Sequence, residues 1–371
     1  MAERDLKILD EFDSSRRRFL LAIAGGFTGT LFGIILPGRA WGNPRMQTLT
    51  LGRPLMGTVV EIEANHPDLA IPRQAIEAGL QRMTDVDRLM STFRSDSEIG
   101  LVNRLAATRP VSVGEETFGV LTQAKDIALM SGGALDVTIY PLMQLWRRAT
   151  LRGRIPSSCE IGTTLGLVAH SGLSVDPNNR SVQLQQPGMG IDLGGIAKGY
   201  AVDIAAEALT KRGVHSGLVN AGGDLRVVGR SRDGSFWRIG LRHPLAPSRL
   251  LLTVLVEDEA AATSGNYFRY FTVGRRQYGH LLHPRTGMPA NSALSATIIA
   301  KSAMRADGLA TAAMIHGTGA MAFIQRVSGV EGIVVHPLAR HPGRVLVHMT
   351  PGLRGRVELL DRSAELERLE P

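Results

Sequence analysis

The segment from Ile191 to Tyr200 places paired glycines and a cation at the predicted start of a helix. An apolar strand end is followed by Gly194-Gly195 and then by Lys198. Glycines let a backbone approach a ligand closely, and free amides at a helix start attract anions. Because a cation in the first helical turn opposes the helix dipole, Lys198 indicates a bound phosphate or pyrophosphate. The alternative is a glycine turn beside a solvated lysine. The segment matches neither the Walker loop nor the dinucleotide-binding fingerprint.

Asp307 and Thr311 are four residues apart in a predicted helix and therefore share one face. Both side chains offer hard oxygen. A carboxylate and a hydroxyl, completed by a carbonyl or a substrate phosphate, form a ligand set that magnesium accepts. The alternative is a solvated aspartate and a threonine that bonds its own backbone.

Two histidines, His280 and His283, lead into the turn that ends at Gly287. His280 is a candidate general base, because imidazole titrates close to neutral pH. The alternative is that both histidines are structural or lie on the surface. The chain has no His-Glu-x-x-His helix and no Gly-x-Ser-x-Gly elbow, so zinc protease and serine hydrolase chemistry lack their usual motifs.

Hydrophobic periodicity predicts the elements that position these residues. The predicted helices are Pro72–Met90, Ser97–Leu105, Glu115–Met130, Ile196–Arg212, Ala303–His316 and Ala320–Val327. The predicted strands are Thr48–Glu63 around a turn, Ser181–Gln185, Gly217–Asn220, Asp224–Gly229, Trp237–Leu241, Leu250–Glu257, Tyr267–Val273, Ser295–Ala300, Gly332–Val335 and Arg344–Met349. Strands and helices are segregated, which favours an α+β fold over regular βαβ alternation.

Composition excludes several classes of protein. The 371 residues are 44% hydrophobic and 20% charged, with a formal net charge of +8, which is typical of a globular chain and not of a disordered one. Cys159 is the single cysteine, so an internal disulfide, a cysteine-ligated zinc site and an iron–sulfur cluster are excluded. No basic run is interleaved with aromatic residues, so no nucleic-acid partner is predicted.

Residues 1–40 resemble a twin-arginine export signal. Ser14–Leu20 reads Ser-Ser-Arg-Arg-Arg-Phe-Leu, the apolar segment Phe19–Leu36 is interrupted by glycines, and Pro37–Ala40 offers small residues to a signal peptidase. This pattern predicts cleavage after Ala40 and a periplasmic protein. The alternative is a single transmembrane anchor, against which the glycines argue. No cysteine stands directly after the apolar segment, so a lipoprotein anchor is excluded.

The ordered motifs of the chain resemble those of the FAD:protein FMN transferases, the ApbE family. The resemblance runs from about Met56 to Met349 through Met56-Gly57-Thr58, Ser91-Thr92-Phe93 with Ser97-Glu98, Ala134-Leu135-Asp136, Asp192–Gly199, Asn220–Asp224, Thr263-Ser264-Gly265, His280–Gly287 and Ala306-Asp307-Gly308 with Thr311. It implies an ApbE-like, T-fold-related α+β domain of mixed or antiparallel sheets packed with helices. The implied domain covers residues 46–350, and 351–371 would form a frayed C-terminal tail.

By this resemblance the protein would bind FAD and magnesium, attach FMN through a phosphoester to a threonine or serine of a partner flavoprotein, and release AMP. The partner would belong to a membrane respiratory or redox complex, such as one of nitrous-oxide respiration. Membrane contact would arise only through that acceptor or through an uncleaved signal. Asp307, Thr311 and the carbonyl of Gly195 would hold the metal, and His280 would be the base. The residues that would contact FAD are Met56, Phe93, Ala134, Leu135, Asp136, Asp192, Lys198 and Leu282.

Two positions depart from the family pattern. Phe93 stands where tyrosine is usual, which keeps ring stacking and loses a hydroxyl. His283 stands where aspartate is usual, which would weaken magnesium binding or alter the turn. Two other functions stay open: an FAD-binding accessory or storage protein, and an enzyme that hydrolyses FAD to FMN and AMP without an acceptor.

Overall fold

The largest sheet among the described residues has nine strands and is called the main sheet. The computed structural model describes residues 34–35 as backbone, and 46–266, 270–338 and 341–368. In spatial order the main sheet contains Ala364–Arg368, Val345–Met349, Val330–Pro337, Ser295–Ala300, Ala260–Gly265, Asp224–Val228, Gly217–Ala221, Thr58–His66 and Gln47–Leu55. Neighbouring strands are antiparallel except for the first pair, which is parallel.

Three smaller sheets accompany the main sheet. A side sheet contains Ile34–Ile35, Trp237–His243, Ala246–Val256 and Val357–Leu359. A small sheet contains Val111–Ser112, Ser181–Leu184 and Leu173–Asp176, and a separate hairpin contains Tyr270–Val273 and Arg276–Gly279. Apart from Ile34–Ile35, the predicted export signal and its cleavage site lie outside the described residues.

Four helices, Ala70–Met90, Ala197–Thr210, Ala303–His316 and Ala320–Ile324, pack on one face of the main sheet, and the side sheet covers the other. The α-helices are Ala70–Met90, Glu98–Leu105, Glu115–Met130, Tyr140–Leu151, Ser158–Leu165, Ala197–Thr210, Ala303–His316 and Ala320–Ile324. Strand Ser295–Ala300 shows the layering: Ile298 joins the core under the helices, whereas Ile299 joins the core under the side sheet. Successive side chains of a strand point to opposite faces, so this strand is buried on both sides. Within the described ranges, no helix combines the length and the apolarity needed to cross a bilayer.

The α+β class predicted from the sequence is confirmed. Helices Glu115–Met130 and Ala303–His316 and strand Ser295–Ala300 have their predicted bounds. Helix Tyr140–Leu151 and strand Ala260–Gly265 were not predicted. The strand is rich in alanine, serine and glycine, which have little β-propensity of their own, so its pairing with a strand on each side stabilises it.

The C-terminal residues differ from the predicted frayed tail. Leu353 is fully buried, and strand Ala364–Arg368 completes the edge of the main sheet. The alternation of this charged segment explains its order, because Ala364 and Leu366 pack in the core beneath the side sheet. Glu365, between them, pairs with Arg344 at 2.8 Å. The prediction of a frayed tail, which was based on the charge of this segment, was therefore wrong, and the segment is an amphipathic edge strand.

Candidate functional site

Helices Ala197–Thr210 and Ala303–His316 approach each other closely at the centre of the site. Gly199 makes this possible, because a Cβ at this position would collide with the backbone of Ala303. The Gly199 N–H donates to Asp307 Oδ2 at 3.0 Å. The first turn of one helix is thereby held against the carboxylate of the other, which is 2% exposed.

Asp203 fixes the start of the second helix, and sequence reasoning missed it. Its carboxylate accepts hydrogen bonds from the N–H groups of Ala303 and Met304, both at 2.9 Å, and from the Ser302 hydroxyl at 2.7 Å. Arg226 pairs with the same carboxylate at 2.7 Å. A carboxylate at a helix N-terminus satisfies amides that have no intrahelical partner. The sequence signal is an aspartate between the apolar residues Val202 and Ile204 of this helix.

Four oxygen-bearing groups converge beside this helix pair. The Thr311 hydroxyl donates to the carbonyl of Gly195 at 3.3 Å and lies 3.4 Å from the hydroxyl of Ser264. Asp307 projects from the same helix face one turn earlier. One carboxylate with a carbonyl and hydroxyls suits a hard cation such as Mg²⁺, which also takes water and phosphate oxygens. Among the described residues, no group of three or more His, Cys, Asp or Glu side chains could hold a metal ion.

Lys198 lies between two carboxylates of the chain. Its ammonium group forms an ion pair with Asp224 and lies 3.9 Å from Asp307 Oδ2. Both carboxylate side chains are 3% exposed. The cation that opposes the helix dipole therefore has counter-charges within the protein, in addition to the anion that the sequence predicted. Contact between Lys198 and FAD stays a prediction.

Asp192 organises the loop that enters the glycine pair. Its Oδ1 accepts the Gly194 N–H at 2.7 Å, and its Oδ2 accepts the Thr92 hydroxyl at 3.4 Å. Its own N–H donates to the carbonyl of Val137 at 2.8 Å. These bonds bring the segments of Phe93 and Asp136 to the glycine loop, so three predicted FAD-contacting segments meet there.

Asp136 is used mainly as a cap. Its Oδ1 accepts the N–H and the hydroxyl of Thr138 at 2.8 and 2.6 Å, and its Oδ2 accepts the His170 N–H at 2.9 Å. Ala134 and Leu135 are 8% and 4% exposed, so their side chains pack in the core under the helices. Contact between this segment and FAD stays a prediction.

Phe93 presents an exposed ring beside the loop. It is 75% exposed, and the Arg147 guanidinium lies 5.6 Å from its ring centroid. An exposed aromatic face backed by a cation is a platform for a flat ring system. The replacement of the family's tyrosine by phenylalanine leaves this platform intact.

Trp146 anchors the turn that carries His280, and sequence reasoning missed it. Its indole N–H donates to the carbonyl of Gly287 at 2.8 Å, and its ring lies 5.6 Å from that of Phe271. Leu282 is 4% exposed and packs in the same small core as Trp146, and its contact with FAD stays a prediction. Arg285 ties the turn to the segment before Ala134 by donating to the carbonyl of Gly132 at 2.8 Å.

We expect Trp146→Ala to lower the free energy of unfolding by about 3–5 kcal/mol, because this fully buried ring supports both the hairpin and the turn. Trp146→Phe keeps much of the packing and removes the indole N–H, so it should cost about 1–3 kcal/mol. Urea unfolding of the two variants measures both values. Equal losses for the two would show that the ring's packing contributes little.

His283 performs the turn-capping role that an aspartate could perform. Its Nδ1 accepts the Arg285 N–H at 3.1 Å, the bond of an Asx-type turn. The N–H groups of Thr286 and Gly287 close the same turn on the His283 carbonyl, at 3.2 and 2.8 Å. The turn is thus retained despite the departure from the family pattern.

The cap requires an unprotonated Nδ1, so it makes this turn sensitive to acid. Burial, and then the charge of Arg285, lowers the pKa of His283 below 6.5. Below pH about 6.5 the unfolded chain therefore binds the proton more readily, and stability falls as pH falls. We expect His283→Asp to reduce the loss of unfolding free energy between pH 7.5 and 5.5, because a carboxylate accepts the same N–H. His283→Ala, the control, should cost about 1 kcal/mol at pH 7.5. Thermal unfolding across this pH range tests both, and an unchanged slope for His283→Asp would contradict the cap.

Two tight turns lie at the end of the main sheet that carries Asp224, the partner of Lys198. Met56 and Gly57 have φ of 51° and 69°, and Gly222 and Gly223 have φ of 67° and 100°. Positive φ at both central residues defines the type I′ hairpin turn, and it is uncommon for methionine. The turns lie at the same end of the main sheet, because strands Thr58–His66 and Gly217–Ala221 pair. The Thr58 hydroxyl is buried against Gly222 and has no hydrogen-bond partner among the described residues.

The chain is similar to proteins of one family along most of its length. Residues 56–334 match the ApbE family. The FAD:protein FMN transferase of Vibrio cholerae is 34% identical over 278 residues, which cover 72% of this chain and 81% of that protein. The structure of the flavin transferase ApbE from Vibrio cholerae has a TM-score of 0.74 at 28% identity and covers 84% of this chain and 99% of that chain. The ApbE protein of Thermotoga maritima has a TM-score of 0.72 at 32% identity, with 78% and 94% covered. The chain belongs to the ApbE family.

Proposed function

We propose that this protein is a magnesium-dependent FAD:protein FMN transferase. It moves FMN from FAD to a threonine or serine hydroxyl of a partner flavoprotein and releases AMP. The observation that carries the proposal is the convergence of the Gly195 carbonyl, the Thr311 hydroxyl and the Asp307 carboxylate beside Lys198. Displacement at a pyrophosphate phosphorus needs neutralised charge and positioning more than a protein nucleophile.

The residues present fit a divalent cation, as the donor set of the oxygen cluster indicates. Asp307, Thr311 and the Gly195 carbonyl would hold Mg²⁺, and the nearby Ser264 hydroxyl lies within reach of Thr311. When bound, magnesium neutralises charge on the pyrophosphate and on the departing AMP phosphate. Lys198 contributes a fixed positive charge beside the same position, held there by Asp224.

The remaining residues position the reactants. Phe93 stacks on the flavin ring, and Asp192 shapes the glycine loop through its bond to the Gly194 N–H. His280 accepts the proton of the acceptor hydroxyl. The hydroxyl oxygen then bonds to the FMN phosphorus, and the bond from that phosphorus to the bridging oxygen breaks. The proton stays on the imidazole, and AMP leaves with the bridging oxygen.

The acceptor belongs to a periplasm-facing respiratory or redox complex in this proposal. The three consecutive arginines and the apolar segment within residues 1–40 support export by the twin-arginine route. Folding before export would suit a protein that binds its nucleotide substrate through contacts between distant segments.

Incubation of the purified chain with FAD, Mg²⁺ and a threonine-bearing acceptor domain tests the function. We expect in-gel fluorescence of covalent flavin on the acceptor and one AMP released for each flavin transferred. AMP and free FMN without acceptor modification would establish FAD hydrolysis instead. FAD binding with no AMP at all would establish a storage or accessory protein.

A further inference from the structure

The hairpin of Tyr270–Val273 and Arg276–Gly279 stands apart from the other sheets. Within the described ranges, neither strand pairs with a third strand. A strand without a neighbour presents a row of N–H and C=O groups on which another extended chain can pair. The hairpin therefore offers a backbone docking edge.

One face of the hairpin is anchored and the other is exposed. Phe271 and Tyr278 are register partners, and their ring centroids lie 5.6 and 5.7 Å from that of Trp146. Thr272 and Gln277, the next register pair, point the opposite way and are exposed. Packing on Trp146 holds the hairpin in place without covering its outer face.

Among the described elements, Arg276–Gly279 has its extensive contacts with its hairpin partner alone, whereas helix Tyr140–Leu151 also contacts Tyr270–Val273. The outer edge of Arg276–Gly279 is therefore the more accessible one. Gly274, with φ of 58°, begins a two-residue loop that Val273 and Arg276 close. In such a loop the closing pair, Val273 and Arg276, is hydrogen-bonded. Hydrogen-bonded and non-hydrogen-bonded pairs alternate along an antiparallel ladder, so the next pair, Thr272 and Gln277, is not bonded across the hairpin. The N–H and C=O of Gln277 therefore point outward.

This edge leads directly into the site. His280 follows Gly279 in the chain, and Gly279 packs against the side chain of Asn266. An extended segment paired along the edge would thus run towards the imidazole. The loop adds charge, because Arg275 and Arg276 are exposed and form no ion pair with any other described residue.

We propose that the Arg276–Gly279 edge receives the acceptor protein as an added strand, with acidic side chains of the acceptor against Arg275 and Arg276. This inference rests on the proposed transfer and names the surface that selects its partner. Backbone pairing aligns the acceptor hydroxyl with His280, and charge selects acidic segments over basic ones.

Binding of two peptides to the full chain tests the proposal. The probes are a fluorescein-labelled peptide with a central threonine flanked by aspartates, and the same peptide with lysines. Gln277→Pro removes one outward N–H and leaves the hairpin's own ladder, whereas Gln277→Ala, the matched control, keeps the N–H. We expect anisotropy to show about tenfold weaker binding of the acidic peptide by Gln277→Pro and unchanged binding by Gln277→Ala.

A second variant does not depend on proline. Charge reversal by Arg275→Glu with Arg276→Glu should abolish the preference for the acidic peptide while FAD affinity and melting temperature stay unchanged. No binding of the acidic peptide by the unaltered chain, or equal binding by all variants, would overturn the docking edge. Edge-dependent binding without FMN on the threonine would support the edge and count against the proposed transfer.

Discussion

Asp307→Asn should reduce FMN transfer by on the order of 10²–10³-fold or more, because it removes the single carboxylate of the oxygen cluster. The substitution conserves shape, and the amide oxygen can still accept the Gly199 N–H, so the helix pair should stay in place. Magnesium affinity, measured by calorimetry in the presence of FAD, should fall by more than about 100-fold. Removal of a residue that only hydrogen-bonds to a metal ligand already lowers metal affinity by about 10–100-fold.

Asp126→Asn provides the matched control for this experiment. Asp126 is exposed on helix Glu115–Met130, so the same loss of charge should leave transfer unchanged. Transfer by Asp307→Asn at more than about a tenth of the normal rate would exclude Asp307 as the essential charge of the site.

His280→Gln should lower kcat by about 10²–10⁴-fold, the range expected when a general base is removed. Glutamine has similar reach and cannot take up the proton of the acceptor hydroxyl. FAD affinity, followed by quenching of flavin fluorescence, should stay unchanged because the imidazole is proposed to act on the acceptor hydroxyl and not on FAD.

The exposed His215 supplies the control, since His215→Gln makes the same chemical change away from the site. A rise in kcat of His280→Gln with increasing pH would show that hydroxide replaces the lost base. Normal kcat for His280→Gln, or equal losses for both variants, would contradict the assignment of His280.

Much of the fold could be read from local patterns. Helix Ala303–His316 has its predicted bounds because Ser302 caps its start, Gly317 ends it, and the residues between are mostly strong helix formers. The C-terminal strand Ala364–Arg368 could not be read in this way. Its short alternation becomes a strand only where Val345–Met349 supplies a partner and the core beneath the side sheet accepts its apolar residues.

The candidate site also combines residues that local sequence spacing places and contacts that only the tertiary structure makes. The four-residue spacing of Asp307 and Thr311 places both on one helix face wherever that helix lies, so helix geometry alone pairs their oxygens. The sequence also places Lys198 in the first turn after the paired glycines. These are local relations, and a single strand or helix enforces them.

Tertiary structure decided what those groups meet. Thr311 bonds the carbonyl of Gly195 across 116 residues, and Trp146 bonds that of Gly287 across 141. Lys198 pairs with Asp224, at the end of a tight glycine turn in the main sheet. No local spacing encodes such contacts, because they depend on which helix faces and strand ends the packed core brings together. The motifs therefore specified the chemistry available to this chain, and the crossing of two helices over one sheet decided where its charges are balanced.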